Sequence, residues 1–151
     1  MASTKRKAPE TTTNPKPITF TARNPPWTYL KLQLIHQLNT SQTTKATLLD
    51  PLTARTYLTS ALSQFLGLSG TAIPIDILSI SQPQSESRSS EKYIWIRVPR
   101  QDGASVVAAL SSWIGGMDQV DNGGSVALRL CAKGNFLDAL IRGDGKRLFE
   151  E

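Results

Sequence analysis

Hydrophobic residues in this chain recur with two different periods, and the order of those periods limits the fold more than any other feature. In the first predicted strand, leucines at positions 30, 32 and 34 alternate with polar residues, as in a strand buried on one side. A later segment has apolar residues three or four apart, as on one face of a helix: Leu58, Ala61, Leu62 and Phe65. Along the whole chain the periods predict the order β-α-β-β-α-β, with strands at 27–37, 73–80, 93–98 and 125–130.

This order has one common solution, an α+β fold of the ferredoxin-like type that RNA-recognition motifs (RRMs) also adopt. Right-handed crossovers place both helices on one side of a four-stranded antiparallel sheet with strand order 4-1-3-2. Even-numbered residues of strands one, three and four then point towards the helices, and odd-numbered residues point away. We call the side away from the helices the open face, and its predicted functional residues are Tyr29, Lys31, Gln33, Tyr93, Trp95, Arg97 and Arg129.

The first predicted helix has recognisable ends. Asp50 can accept backbone N–H groups as an N-cap, and Pro51 is tolerated at the first helical position. Gly67 and Gly70 are predicted to end the helix in left-handed conformations. The polar residues 39–45 before it are predicted to form a loop.

The second predicted helix begins at Asp102, whose side chain is expected to cap it. Its apolar spacing continues through Trp113 and Ile114, and Gly115-Gly116 is expected to stop it. A short C-terminal helix is predicted over residues 135–142.

The positive charge of the chain is concentrated in its first residues. Residues 1–26 are rich in Thr, Pro and Lys, so we expect a disordered tail followed by a single domain over residues 27–151. The tail carries +4 of the net charge of +5, leaving the domain close to neutral. A broad basic surface for nucleic acid is therefore not expected on the domain. Within the tail, Lys5, Arg6 and Lys7 form either a minimal nuclear-import signal or a solvated basic segment.

Several classes of function are disfavoured by what the sequence lacks. It has no apolar run of membrane-spanning length, no secretory signal, and one cysteine, Cys131, so we expect a cytosolic or nuclear protein. His36 is the single histidine and falls at the end of a strand, and no paired carboxylates or metal-binding spacing are evident. We therefore expect neither a catalytic centre nor a cofactor or metal site.

The open face is the predicted functional site, and three interpretations apply to it. Tyr29, Tyr93 and Trp95 match the positions at which RRMs stack bases, although Lys92 stands where a glycine is usual. Exposed aromatic residues beside arginine are equally typical of a protein interface. In the third interpretation, the C-terminal segment folds over the face and buries the rings.

Five stretches of the chain carry a resemblance to a known family: WTYLKLQL, LDPLTARTYLTSALSQFLGLSG, KYIWIRVPRQD, VVAALSSWI and GSVALRLCAKG. Over residues 27–142 the chain resembles the smallest fungal protein subunit of ribonuclease P and ribonuclease MRP, the Pop-eight type, related to the Pop-five and fourteen-kilodalton-type subunits. The resemblance implies a non-catalytic subunit of nuclear and nucleolar ribonucleoproteins, in which RNA cleaves precursor tRNA and precursor rRNA. It implies a heterodimer with a Pop-five-type subunit, joined to two Rpp1-type subunits and at least indirectly to the RNA.

Two other functions are compatible with the predicted fold. A stand-alone RRM-like protein would bind single-stranded RNA on the open face. An acylphosphatase-like hydrolase would need a phosphate-binding loop with arginine after the first strand, and residues 37–49 contain neither glycine nor arginine. The hydrolase is therefore the least favoured.

Overall fold

The computed structural model describes residues 15, 17, 24–38, 40–83, 91–116 and 124–144. Its strands are β1 (Trp27–His36), β2 (Asp76–Ser81), β3 (Lys92–Pro99), β4 (Ile114–Gly116) and β5 (Ser125–Gly134). Its helices are α1 (Gln42–Ala46), α2 (Pro51–Leu66), α3 (Leu68–Thr71), α4 (Gly103–Ser112) and α5 (Leu137–Asp144), with a 3-10 turn at Arg100–Asp102.

The strands form a five-stranded antiparallel sheet in the order β2-β3-β1-β5-β4. The predicted α+β class is confirmed, but the predicted count of four strands is wrong, because the sheet has five strands. The predicted strands correspond to β1, β2, β3 and β5, and β4 is an additional strand at the edge beyond β5. β4 has three residues, two of them glycine, so it is too short to show a hydrophobic period of two.

The core lies between the sheet and helices α2 and α4. Even-numbered residues of β1 and β3 are almost completely buried there, as the alternation predicts: Leu30, Leu32, Leu34, Ile94, Ile96 and Val98. Ala54, Leu58, Ala61 and Leu62 of α2 and Val106, Ala109 and Leu110 of α4 pack against them. Burial of this continuous apolar cluster is the main term that stabilises the fold.

The ends of α2 follow from its sequence. Asp50 accepts a hydrogen bond from the Thr53 N–H at 3.4 Å, Pro51 is the first helical residue, and Gly67 ends the helix with φ of 71°. Two predictions for this region are wrong. Gly70 lies inside α3 instead of ending α2, and Phe65 is 53% exposed although its spacing matches the buried face.

Two predictions about where helices begin also differ from the structure. The predicted loop 39–45 contains most of α1, because the Ser41 hydroxyl accepts a hydrogen bond from the Thr44 N–H and nucleates a turn. Asp102 makes no side-chain capping bond to α4; it ends the 3-10 turn through which the chain enters that helix. A residue type that is common at N-caps therefore does not always form the capping hydrogen bond.

The second helix is shorter than predicted. α4 ends at Ser112, and Trp113 has an extended backbone with φ of −80° and ψ of 133°. Its indole is buried and lies 5.3 Å from the Tyr57 ring between centroids, so it belongs to the same core as α4 without being helical. The chain then continues as β4, where Ile114 pairs with Ala127. Gly115 lies so close to the Trp113 indole that a side chain there would collide with it.

A bulge in β5 changes which residues face each side of the sheet. Leu130 pairs with Leu32, but Ala132 pairs with Lys31, so Cys131 is an extra residue in the ladder. Beyond the bulge, past the end of the predicted strand, even-numbered residues of β5 lie on the open face, because Ala132 pairs with Lys31 and Gly134 with Tyr29. The chain then forms α5 over Leu137–Asp144, two residues further along than the predicted C-terminal helix at 135–142.

Most of the predicted tail, including Lys5, Arg6 and Lys7, lies outside the described residues, as do most of the connector between β2 and β3 and residues 145–151. Among the helices that the structure describes, none has the length and hydrophobicity required to cross a membrane.

Candidate interaction face

The seven residues predicted for the open face lie together on the side of the sheet away from α2 and α4. The register of the strands gives their neighbours: Tyr29 pairs with Arg97, Lys31 with Trp95, and Gln33 with both Tyr93 and Arg129. All but Arg129 are partly buried, and Arg129 is exposed. The face is therefore a surface of large, half-covered side chains across three adjacent strands.

Lys31 lies between two aromatic residues of β3. Its ammonium nitrogen is 4.8 Å from the centre of the Tyr93 ring and 5.0 Å from the centre of the Trp95 ring. At these distances the cation is attracted to the negative faces of both rings. The Tyr93 hydroxyl also donates a hydrogen bond to Glu91 at 2.7 Å. The three side chains are thereby held in one arrangement before any partner binds.

At the other end of the face, Arg97 contacts side chains of two neighbouring strands. Its guanidinium carbon lies 4.5 Å from the centre of the Trp27 ring, and its Nε donates to Asp76 Oδ2 at 2.8 Å. This hydrogen bond raises the pKa of the guanidinium, with smaller contributions from the Asp76 charge and from Tyr29. Arg97 therefore connects three strands: Trp27 and Tyr29 on β1, its own strand β3, and Asp76 on β2.

Trp27 and Asp76 belong to the open face and were not among its predicted residues. Trp27 has the same odd parity as Tyr29 and Lys31, so the period of two could have identified it. Asp76 could not have been identified in this way, because the register of β2 shifts between Ile77 and Ser79. Which residues of β2 share a face with β3 therefore depends on a bulge that the sequence does not reveal.

Gln33, Arg129 and Cys131 form the β5 side of the face. The Cys131 thiol contacts Gln33 Oε1 at 3.9 Å and the Arg129 carbonyl oxygen at 3.8 Å. The cysteine is exposed at the bulge, and Arg129 extends into solvent. This side of the face is polar and more open than the aromatic side.

The open face is not a second core. Its aromatic side chains are partly exposed, and none belongs to the apolar cluster formed with α2 and α4. Helix α5 covers one end, where Leu140 is buried near Gly134, the residue that pairs with Tyr29. Burial by the C-terminal segment, one of the three predicted interpretations, therefore applies at most to the Tyr29 end in the described residues.

His36, the histidine considered as a catalytic base, lies at the end of β1 near two lysines. The ring nitrogens of His36 are buried without a hydrogen-bond partner among the described residues. Burial, with the nearby charges of Lys92 and Lys45, lowers the pKa of His36 below its ordinary value of 6.5. Lys92 is itself buried on the helix side, where burial lowers its pKa and its ammonium donates to the Thr47 carbonyl. No group of residues suited to bind a metal occurs in the described part of the chain.

A concave surface outside the open face lies between α2 and β4. It is a groove of about 740 Å³ with Tyr57 and Trp113 among its lining residues, together with hydroxyl-bearing side chains such as Thr59 and Ser63. The lining contains one charged residue, Arg55, and no acid that could pair with it. Arg55 donates a hydrogen bond to the Ile75 carbonyl oxygen, and the cation–ring contacts found in the described residues lie on the open face instead of in this groove.

Comparison with known proteins bears on the family and on the fold. The model of the family described as ribonucleases P/MRP protein subunit Pop8 matches residues 26–113, more than half of the chain. Among solved structures, a chain of yeast ribonuclease MRP determined by cryo-EM is 18% identical, with a TM-score of 0.59, over 87% of this chain and 98% of that chain. At this identity the likeness supports the fold. No curated protein sequence matches the chain.

Proposed function

The chain belongs to the Pop8 family of ribonuclease P/MRP protein subunits, and we propose that it contributes its open face to an interface with a second protein subunit. As a member of this family it is a subunit of a ribonucleoprotein, which agrees with the predicted non-catalytic role. All predicted residues of the open face except Arg129 lie within the matched segment. The fold we propose for this role is a ferredoxin-like arrangement with β4 added at its edge.

The arrangement of cations over the rings is the observation that carries this proposal. Base stacking requires free ring faces, whereas Lys31 already covers Tyr93 and Trp95, and Arg97 covers Trp27. Tyrosine, tryptophan and arginine are the residues that contribute most to protein–protein affinity when a partner removes water from them. A preorganised cluster of these residues favours a protein partner over a nucleobase.

The partner we propose is a Pop-five-type subunit, the related protein implied by the sequence resemblance. The resulting pair would join two Rpp1-type subunits and contact the catalytic RNA at least indirectly. The near-neutral charge of residues 27–151 supports a subunit that contacts proteins more than phosphates. Its contribution to precursor-tRNA and precursor-rRNA processing would then be assembly of the particle.

Substitution of Trp95 tests this proposal. Trp95→Ala is expected to weaken binding of the Pop-five-type subunit by about 2 kcal/mol or more, which is about thirtyfold in Kd, because a large desolvated contact is lost. Affinity is measured by calorimetry with both full-length chains. Phe65→Ala is the matched control, since Phe65 is an aromatic residue exposed on α2, away from the open face.

The stand-alone RRM-like alternative predicts a different outcome for the same variant. It rests on Tyr29, Tyr93 and Trp95 occupying the strand positions that stack bases in RRMs. In that case Trp95→Ala lowers affinity for single-stranded RNA by about 1–3 kcal/mol and leaves the affinity for the protein unchanged. This result would mean that the open face binds RNA instead of a protein.

We also propose that the protein acts in the nucleus and nucleolus, with Lys5, Arg6 and Lys7 as an import signal. Removal of residues 1–22 is expected to reduce nuclear accumulation of a fluorescent fusion without changing affinity for the partner. Equal nuclear levels of the two chains would mean that the protein enters the nucleus bound to another subunit.

A further inference from the structure

Helix α5 lies on the open face, and the register of β5 determines its position. Gly134 pairs with Tyr29 beyond the bulge, so a side chain at Gly134 would point to the open face. Its Cβ would lie 2.6 Å from Leu140 Cδ1, which means that Leu140 occupies the space directly above Gly134. Leu140 is 4% exposed but does not belong to the core cluster with α2 and α4.

The attachment of α5 to the face is small. Phe136, Leu137 and Ile141 are 51%, 37% and 56% exposed, so among the described large apolar residues of this segment Leu140 alone is buried. The helix has eight residues, fewer than the roughly 12–15 that an isolated helix needs to be even marginally stable in water. Among the described side chains, burial of Leu140 and the hydrogen bond that the Thr28 hydroxyl donates to Asn135, just before the helix, must offset much of the conformational entropy lost when the segment is ordered.

α5 covers an area that a partner seated on the whole face would need. The covered end contains Tyr29 and, through the Tyr29–Arg97 pair, adjoins the guanidinium that stacks on Trp27. The Tyr93–Lys31–Trp95 group lies farther along the strands, towards the opposite end of β1. The free chain thus presents one part of the face and holds the other beneath α5.

We propose that α5 is a strap that covers the Tyr29 end of the open face in the free chain and detaches when a partner occupies the face. This inference depends on the proposed interface, because α5 and the partner would compete for the same area. For a partner that binds only the uncovered state, the apparent association constant equals the intrinsic one multiplied by the fraction of chains in that state. The strap would therefore limit premature association of the subunit.

Leu140→Asp in the full-length chain tests the strap, because a carboxylate at this buried position opposes docking. Amide hydrogen exchange over residues 137–144 of the free chain is expected to become about tenfold faster or more. Affinity for the Pop-five-type subunit is expected to rise about three- to tenfold. Ile141→Asp is the control, since Ile141 is exposed on the same helix and its substitution should change neither quantity. Gly134→Val, which fills the space under Leu140, should reproduce both effects of Leu140→Asp.

The outcomes separate the strap from the interface beneath it. Unchanged exchange in both Leu140→Asp and Gly134→Val would overturn the docking of α5. Faster exchange with unchanged or weaker partner binding would overturn the competition and would mean that α5 is absent from the interface or is part of it. If Trp95→Ala also leaves the affinity unchanged, the interface itself is wrong; if Trp95→Ala weakens binding, only the strap is wrong.

Discussion

Successive residues of β1 alternate between two environments that differ in kind. Leu30, Leu32 and Leu34 enter an apolar layer in which they are 0–6% exposed. Their neighbours Tyr29 and Lys31 lie on the opposite side, partly exposed and in contact with rings or charged groups of β3. The helix side is closed by α2 and α4, whereas in the part of the chain that the structure describes the open face has α5 over one end. One side of the sheet maintains the fold, and the difference supports the proposal that the other side binds a partner.

The largest expected effect on stability comes from substituting a residue on the helix side of the sheet. Ile96→Ala is expected to lower the free energy of unfolding by about 2–5 kcal/mol, because it removes a completely buried side chain from a packed core. Its neighbour Trp95 is larger but partly exposed, so Trp95→Ala should cost clearly less stability. Urea unfolding of the two variants measures the contrast. Equal losses for both would mean that the open face is a second core and would remove the distinction between the two sides.

A smaller effect on stability is expected from a change in pH, through His36 on the helix side of the sheet. The pKa of His36 is lower in the folded chain than its ordinary value of 6.5. Below about pH 6.5 the unfolded chain therefore binds more protons than the folded chain, so stability falls as the pH decreases. The slope from this one group is at most about 1.4 kcal/mol per pH unit.

The His36→Gln variant provides the control for this prediction. It should lose the part of the slope that lies between pH 6.5 and the lowered pKa of His36, while retaining the steeper acid unfolding caused by carboxylates. Unfolding free energies are measured by urea denaturation from pH 7.5 to 5. An unchanged slope in the variant would show that His36 is not the group responsible.

The features predicted correctly are those for which a local pattern determines the structure. The alternation in β1 and β3 identified which residues share the open face, and Asp50-Pro51 marked the start of α2, because both signals depend on neighbouring residues. Trp113 shows the limit of such patterns. Its spacing matches α4 because it is buried in the same core, yet its backbone is extended. Hydrophobic spacing reports burial and does not show where a helix ends.

The features missed depend on contacts between distant segments. β4 exists because Ile114–Gly116 pairs with β5, and its two glycines give no strand signal of their own. The bulge at Cys131 and the shift in β2 change the parity of the residues beyond them, so neither Gly134 nor Asp76 could be assigned to the open face from spacing. Pairing register is a property of two strands and cannot be read from one.

Side-chain accessibility in the assembled pair tests the central claim most directly, because it requires no substitution. Hydroxyl-radical oxidation, read by mass spectrometry, is compared between the free chain and its complex with the Pop-five-type subunit, without RNA. Oxidation of Trp27 and Trp95 should fall in the complex, while that of Phe65, exposed on α2, should stay the same. Protection of Phe65 with unchanged oxidation of the two tryptophans would place the interface on the helix side and contradict the account.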